Sequence, residues 1–312
     1  KMRVISYQKD GKSGVGVLTG DQDVIPLSEA APDLPKSLKA ILSDDPSLDK
    51  VRAATDGKSA SFSIDDVTLE PVIPEPTAIW AMALNFHSHV EETGLTTSDK
   101  FPHIFLRHAG GQVGSGQPLM CPDPAIARAF DYEGEMAIII GKSGRHIPKD
   151  KAIEHIAGFS VYNEGSVRGF QKHNRQFGVG KNFEASGSFG PWLMTPDEFG
   201  NPYDKVLRTE INGVIRQEAQ LDDLIFNCED LIHYLSTGYS LRTGDIIVMG
   251  TPGALPPKPG DTEGSIENQY GPIKYAGMVH MKPGDKVSVS IDGLGELVNP
   301  IEADGPVEYR PD

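Results

Sequence analysis

Hydrophobic and polar positions alternate along this chain in short blocks, most of them rich in β-branched residues. Residues 3–7, 13–18 and 24–27 are three such runs, separated by Lys9-Asp10-Gly11 and Gly20-Asp21, and they read as a small β meander. Residues 37–42 and 47–54 read as short helices. Pro71, Pro74 and Pro76 then read as a linker. Beyond it, strands are predicted over 78–83 and 103–107, with one or two helical turns over 88–93 between them. Residues 131–141 alternate at first and then become continuously apolar, as a strand entering a buried sheet does. A helix over 149–156 and a strand over 158–162 follow. Residues 207–211, 213–219, 245–249 and 286–291 complete the predicted strands. Residues 222–241 carry the clearest helical spacing, with Leu224, Leu231, Leu235 and Tyr239 on one face.

Strands outnumber helices and no βα unit repeats, so the pattern predicts an α+β, sheet-rich fold rather than a doubly wound one. The proline cluster predicts two domains, a small N-terminal α+β domain over 1–73 and a larger one over 74–312. Composition narrows the function. The 312 residues hold 29 Lys and Arg against 44 Asp and Glu, a net charge of -15. Such a surface repels nucleic acid and anionic membranes, so neither is an expected partner. Every apolar run falls far short of the roughly 20 residues a membrane helix needs, and a cytoplasmic location is the expectation. Cys121 and Cys228 lack zinc-ligand spacing and are expected to be buried and reduced.

The chemistry concentrates in three carboxylates. Glu133 and Glu135 stand two apart at the start of a predicted strand, where side chains at i and i+2 share a face. Glu-x-Glu also suits a solvated strand edge, but Glu164, just beyond the strand over 158–162, brings a third acid to a neighbouring strand end. Three carboxylates without Cys or His make an all-oxygen set, suited to Mg²⁺, Mn²⁺ or Ca²⁺ rather than zinc. His89 and Glu92 lie one helical turn apart, so the carboxylate can orient the imidazole and stabilise its cation. That pair reads either as a general base or as an ordinary surface histidine, and His87 as structural. The sequence has no Gly-x-Gly-x-x-Gly in a strand-helix context and no Gly-x-Ser-x-Gly elbow, which argues against nicotinamide enzymes and serine hydrolases.

Several ordered segments resemble the fumarylacetoacetate hydrolase superfamily. They are Asp131-Tyr132-Glu133-Gly134-Glu135, the stretch Asn163-Glu164-Gly165-Ser166-Val167-Arg168 with Gln171, Gly180-Lys181-Asn182-Phe183 before Gly190-Pro191-Trp192, and Gly250-Thr251-Pro252-Gly253. Asn85 with His89 and Glu92, and Lys282-Pro283-Gly284-Asp285 to Asn299-Pro300, extend the match over about residues 78 to 302. The resemblance implies a mixed-sheet β roll, a homodimer, and one divalent cation held by Glu133, Glu135 and Glu164, with Mg²⁺ the first choice and Mn²⁺ or Ca²⁺ alternatives. It further implies catalytic roles for His89, Glu92, Lys181 and Gln171, and substrate contacts from Arg107 and Thr251. Two positions depart from the family pattern, where Glu164 and Gly169 stand in place of aspartates. The implied activity is metal-dependent cleavage of a carbon-carbon bond in an acylpyruvate-type 2-oxo acid from aromatic-compound catabolism. Isomerisation, decarboxylation or hydration of 2-hydroxydienoates is the alternative, and a catalytically reduced 2-oxo-acid binder or structural relative is a third. Within the stretch 254–280, long and with little apolar periodicity, residues 255–275 are expected to fold over the mouth of the site and contact the distal end of the substrate.

Overall fold

Ten strands hydrogen-bond side by side into the backbone of the molecule. The computed structural model describes residues 1–94, 100–127, 129–256 and 279–306, together with the backbone of 266–268 and 271–273. From one edge, the strand order is Phe62–Ser63, Asp23–Pro26, Lys12–Thr19, Arg3–Lys9, Gly187–Met194, Ile156–Asn163, Gly134–Ile140, Ile246–Val248, Ile79–Ala83 and His103–Arg107. Most neighbours run antiparallel, but Ile246–Val248 pairs parallel with Ile79–Ala83, so the sheet is mixed. A second sheet, ordered Val214–Gln220, Val206–Ile211, Lys286–Ile291, Gly295–Ala303 and Leu119–Cys121, packs against it through Leu207, Val289, Ile291 and Leu297. The expected α+β class with mixed sheets is what forms.

The continuous apolar run accounts for the centre of the sheet. Gly134–Ile140 is fully buried along its length because it is covered on both faces. Met136, Ile138 and Ile140 enter one apolar cluster with Leu231 and Leu235 of the Cys228–Gly238 helix, while Ala137 and Ile139 enter another with Val4, Leu38 and Ile41. The period of two along one strand thus feeds two cores. The first strand also pairs with Gly187–Met194, Val4 opposite Leu193, so residues from both sides of the proline cluster share one sheet and one core.

Several elements differ from the sequence reading. The helix expected over 222–241 starts only at Cys228, because Asn227 and Asp230 cap each other's backbone N–H and fix the first turn there. Leu224 instead bridges to Phe86, which brings this segment onto residues 85–93. The helix over 149–156 is a 3₁₀ helix, Lys149–His155. The run expected as one strand from 131 divides into Phe130–Asp131 and Gly134–Ile140, and the first piece pairs with Ser166–Val167. Gly187–Met194, with two glycines and a proline, carries no strand pattern and still lies at the centre of the sheet. Cys228 is buried and unpaired as expected, whereas Cys121 is only half-buried. No described helix is long and apolar enough to cross a membrane. Most of the stretch 254–280 lies outside the described residues, apart from 254–256, 279–280 and a short backbone ladder of Ile266–Asn268 with Gly271–Ile273.

Leu193 is fully buried and stands between the first strand and Gly158, where an added Cβ would come within 2.5 Å of the leucine Cδ2. Leu193→Ala is expected to cost about 2–5 kcal/mol of unfolding free energy, measured by urea denaturation. A loss below about 1 kcal/mol would show that this contact does not tie the two segments together.

Candidate metal centre

The register of two strands brings the acids together. Gly134–Ile140 pairs with Ile156–Asn163, placing Gly134 opposite Asn163 and Glu135 opposite Tyr162. Glu133 therefore sits just before one strand and Glu164 just after the other, and the Glu164 N–H donates to the Glu133 carbonyl at 2.8 Å. The Asn163 side chain accepts from the Glu133 N–H at 3.1 Å and holds this corner. A carboxylate oxygen from each of Glu133, Glu135 and Glu164 lies within 4.8 Å of the others, and all three residues are buried. Glu133 and Glu135 do meet, although Glu133 precedes the strand that was expected to carry both.

Three cations surround the acids. Lys181 Nζ donates to Glu133 Oε2 at 2.8 Å and to Glu164 Oε2 at 2.9 Å. Its loop reaches the acids because Gly180 lies against Gln171, so closely that a Cβ would fall 2.1 Å from the Gln171 nitrogen. Arg168 is buried as well. Its Nε and Nη2 bind Asp131 Oδ2 at 2.9 and 2.8 Å, and its Nη1 reaches Glu133 Oε1 at 2.6 Å and Gln171 Oε1 at 2.8 Å. Arg107 donates to the Gly165 carbonyl at 3.1 Å and to Ser186 Oγ at 2.9 Å, and its Nη1 stands 3.9 Å from Glu164 Oε1.

The acids respond differently to this field. Burial opposes ionisation of Glu133, but the Lys181 and Arg168 charges outweigh it and hold its carboxyl well below the usual range. Burial, then the neighbouring Glu164 and Glu133 charges, push Glu135 well above the usual range, although Gly250 N–H donates to its Oε2 at 2.5 Å. Burial together with the Glu133 charge pushes Glu164 up to about 7 against the opposing pull of Lys181 and Arg107. Glu135 Oε1 and Glu164 Oε1 are buried without a hydrogen-bond partner. Unpartnered buried oxygens are uncommon and costly, and two of them beside a third carboxylate fit a hard cation.

Two of the three acids, Glu133 and Glu164, border a cavity of about 690 Å³, within the range of small-molecule sites. Glu133, Glu164, Lys181, Thr251 and Gln171 line it, as does His89, whose Nδ1 lies 3.0 Å from Glu92 Oε2. His87 is exposed at the start of the same short helix. That helix is anchored by Asn85, which donates to the Phe226 and Met249 carbonyls, and by Asp223, which accepts from the Ser88 N–H. Thr251 is held by Gln217, whose Nε2 donates to Thr251 Oγ1 while its Oε1 accepts from Gly134 N–H.

Arg107, expected to contact substrate, does not line this cavity, because its guanidinium is turned onto Gly165, Ser186 and Glu164. Sequence reasoning did not single out Asp131, Arg168 or Gln217. Arg168 stood inside the quoted motif, and its partner Asp131 is 37 positions away. A larger groove of about 1020 Å³ among the N-terminal strands holds none of the three acids.

Because Glu135 and Glu164 hold protons to higher pH than ordinary carboxylates, a cation must displace them to bind. Mn²⁺ affinity measured by calorimetry is expected to rise between about pH 6 and 8 with net proton release. Glu133→Gln and Glu135→Gln should each weaken binding strongly. Affinity that is flat with pH and indifferent to both substitutions would refute the site.

Residues 78–302 match the fumarylacetoacetate (FAA) hydrolase C-terminal model. The chain is 31% identical over 245 residues to the oxaloacetate tautomerase YisK of Bacillus subtilis, covering 78% of this chain and 76% of that protein. It is 28% identical over 311 residues to the mitochondrial oxaloacetate tautomerase fahd2 of Xenopus laevis, covering 96% and 90%. Among solved structures, the fumarylacetoacetate hydrolase of Exiguobacterium antarcticum superposes with a TM-score of 0.75 at 26% identity, covering 97% of this chain and all of that one.

Proposed function

The chain belongs to the fumarylacetoacetate hydrolase family, and from that premise we propose that it is a divalent-cation-dependent enzyme moving a proton at the carbon beside the carbonyl of a 2-oxo acid, with keto-enol tautomerisation as its reaction. The observation that carries this reading is the His89 and Glu92 pair, whose imidazole lines the same cavity as Glu133 and Glu164. Glu133, Glu135 and Glu164 would hold the cation, and the two orphaned carboxylate oxygens support that fit. When bound, a hard divalent cation supplies Lewis acidity that draws negative charge onto the 2-oxo oxygen.

The side chains account for the rest of the reaction. Glu92 occupies Nδ1 of His89, which leaves Nε2 to take a proton from the carbon next to the carbonyl. The resulting imidazolium is stabilised by the Glu92 carboxylate. Lys181 keeps a positive charge beside the acids, and that charge favours the developing oxyanion. Gln171 has its carbonyl oxygen engaged by Arg168, so its amide NH₂ is the donor left for a substrate oxygen. His89 then returns the proton to that oxygen, which gives the enol without loss or gain of atoms. Tautomerisation needs this one base and no nucleophilic water, and the relative at 31% identity bears the name of a tautomerase.

The second reading is hydrolysis of an acylpyruvate from aromatic catabolism. A cavity of about 690 Å³, roomy enough for an acyl chain, favours it, as does the hydrolase at 26% identity. Decarboxylation, hydration or isomerisation of hydroxydienoates would pass through the same enol chemistry. Mg²⁺ as the working ion, a homodimer and a domain boundary near residue 73, across which the sheet and one core continue, remain parts of this proposal.

Deuterium exchange at the carbon beside the carbonyl of a 2-oxo acid, followed by NMR with Mg²⁺ present, tests the assignment. His89→Ala is expected to slow exchange by about 10²- to 10⁴-fold while Mn²⁺ affinity stays unchanged. Full activity in that variant, or loss of cation binding, would overturn the role of His89. Release of pyruvate from an acylpyruvate by the wild type would establish the hydrolase reading, and no turnover of either kind would leave a 2-oxo-acid binder.

A further inference from the structure

Val214–Gln220, at one edge of the second sheet, buries a single side chain, and that side chain is an amide. Its other residues are exposed or half-buried, whereas Gln217 is 1% exposed. A β-bulge stands beside it, because Thr209 pairs with Gln217 but Glu210 with Ile215, and such bulges re-aim side chains. A buried amide is costly unless its hydrogen bonds are made. Gln217 makes three. Its Oε1 accepts from the Gly134 N–H at 3.0 Å, between Glu133 and Glu135. Its Nε2 donates to Thr251 Oγ1 and to the Pro252 carbonyl, both at 2.8 Å. The turn held in this way touches the acids at one end and the His89 helix at the other. Gly250 N–H donates to Glu135 Oε2, and a Cβ on Gly253 would fall 2.9 Å from the Ser88 carbonyl oxygen and 3.3 Å from Glu92 Oε2.

These bonds settle which way a hydroxyl donates. A backbone N–H can only donate and a backbone carbonyl can only accept, so Gly134 and Pro252 leave the Gln217 amide one orientation. Its NH₂ therefore faces Thr251, whose oxygen accepts and whose own hydrogen is left to donate elsewhere. Thr251 lines the cavity together with Glu133, Lys181 and His89. We propose that Gln217 is a positioning residue, which locks Thr251 as a hydrogen-bond donor to an anionic oxygen of the 2-oxo acid. The inference rests on the preceding reading, which brings that acid to the cavity. A donor whose direction is set before the ligand arrives has little ordering left to lose on binding. With an apolar side chain at 217 the hydroxyl rotates, and that advantage goes.

Calorimetry on the full chain loaded with Mn²⁺, with pyruvate as the titrant, tests this through a double-mutant cycle. Thr251→Val removes the hydroxyl and is expected to weaken pyruvate binding about ten-fold or more, whereas Thr251→Ser keeps the donor and the affinity. Gln217→Met should weaken binding to a similar extent. The double variant should bind no more weakly than either single one, because both substitutions remove the same bond. Gln217→Glu keeps the shape and the acceptor for Gly134 but replaces the NH₂ with an oxygen that draws the Thr251 hydrogen to itself. It should behave as Gln217→Met does, and it completes the cycle if circular dichroism shows that the methionine variant has not folded. Mn²⁺ affinity, titrated separately, is expected to stay near that of the wild type in every variant. If Thr251→Val binds pyruvate as the wild type does, or the losses at 217 and 251 add, the positioning role is wrong while the 2-oxo acid reading stands. If the wild type binds no pyruvate, that reading falls and the role of Gln217 with it.

Discussion

Three carboxylates buried within 4.8 Å of one another repel strongly, and this protein is organised around holding them there. Desolvation and mutual repulsion both oppose ionisation of such a group, and each is larger in a low-dielectric interior. Lys181 bridges two of the acids, Arg168 supports Glu133 from the Asp131 side, and Arg107 stands behind Glu164. The compensation is incomplete, because Glu135 meets only a backbone N–H and keeps an unpartnered oxygen. That residual imbalance is what suits the group to a hard cation. A structure built only for stability would replace the group with packed apolar side chains.

The architecture follows from the need to keep these groups rigid. Gly134–Ile140 lies deep in the sheet with neighbours on both sides, so the corner at Glu133 and Glu164 hangs from its best-supported pair of strands. Close backbone approach tightens the corner further. A Cβ on Gly165 would fall 1.7 Å from the Ser186 carbonyl oxygen, and only glycine permits that distance. The groups on the cavity wall have their own anchors. His89 and Glu92 sit on a helix of seven residues, His87–Thr93, tied down through Asn85 and Asp223.

Much of this was legible in the sequence, for identifiable reasons. The strand over 103–107, the early meander and the buried run before residue 141 were readable because period-two alternation and β-branched runs report directly on sheet burial. The acids and the His89 and Glu92 pair were readable because their spacing places them on neighbouring strand ends or within one helical turn. Elsewhere the local signal was too weak. Asn227 and Asp230 began the long helix later than its apolar spacing suggested, since capping depends on a side chain finding particular N–H groups. The central strand Gly187–Met194 was missed because its glycines and proline carry no strand preference, and burial between Arg3–Lys9 and Ile156–Asn163 imposes its conformation.

The sequence by itself determined the fold class, the family and the composition of the acidic group, because hydrophobic period, residue type and motif order are local properties written along the chain. Only the tertiary structure decided which charges meet. Asp131 and Arg168 come together because Phe130–Asp131 pairs with Ser166–Val167, and Gln217 reaches Gly134, 83 positions before it, and Thr251, 34 positions after it. It likewise turned Arg107 away from the cavity. The physical reason is that an ion pair depends on distance and burial at the same time, and both are set by packing between segments remote in sequence.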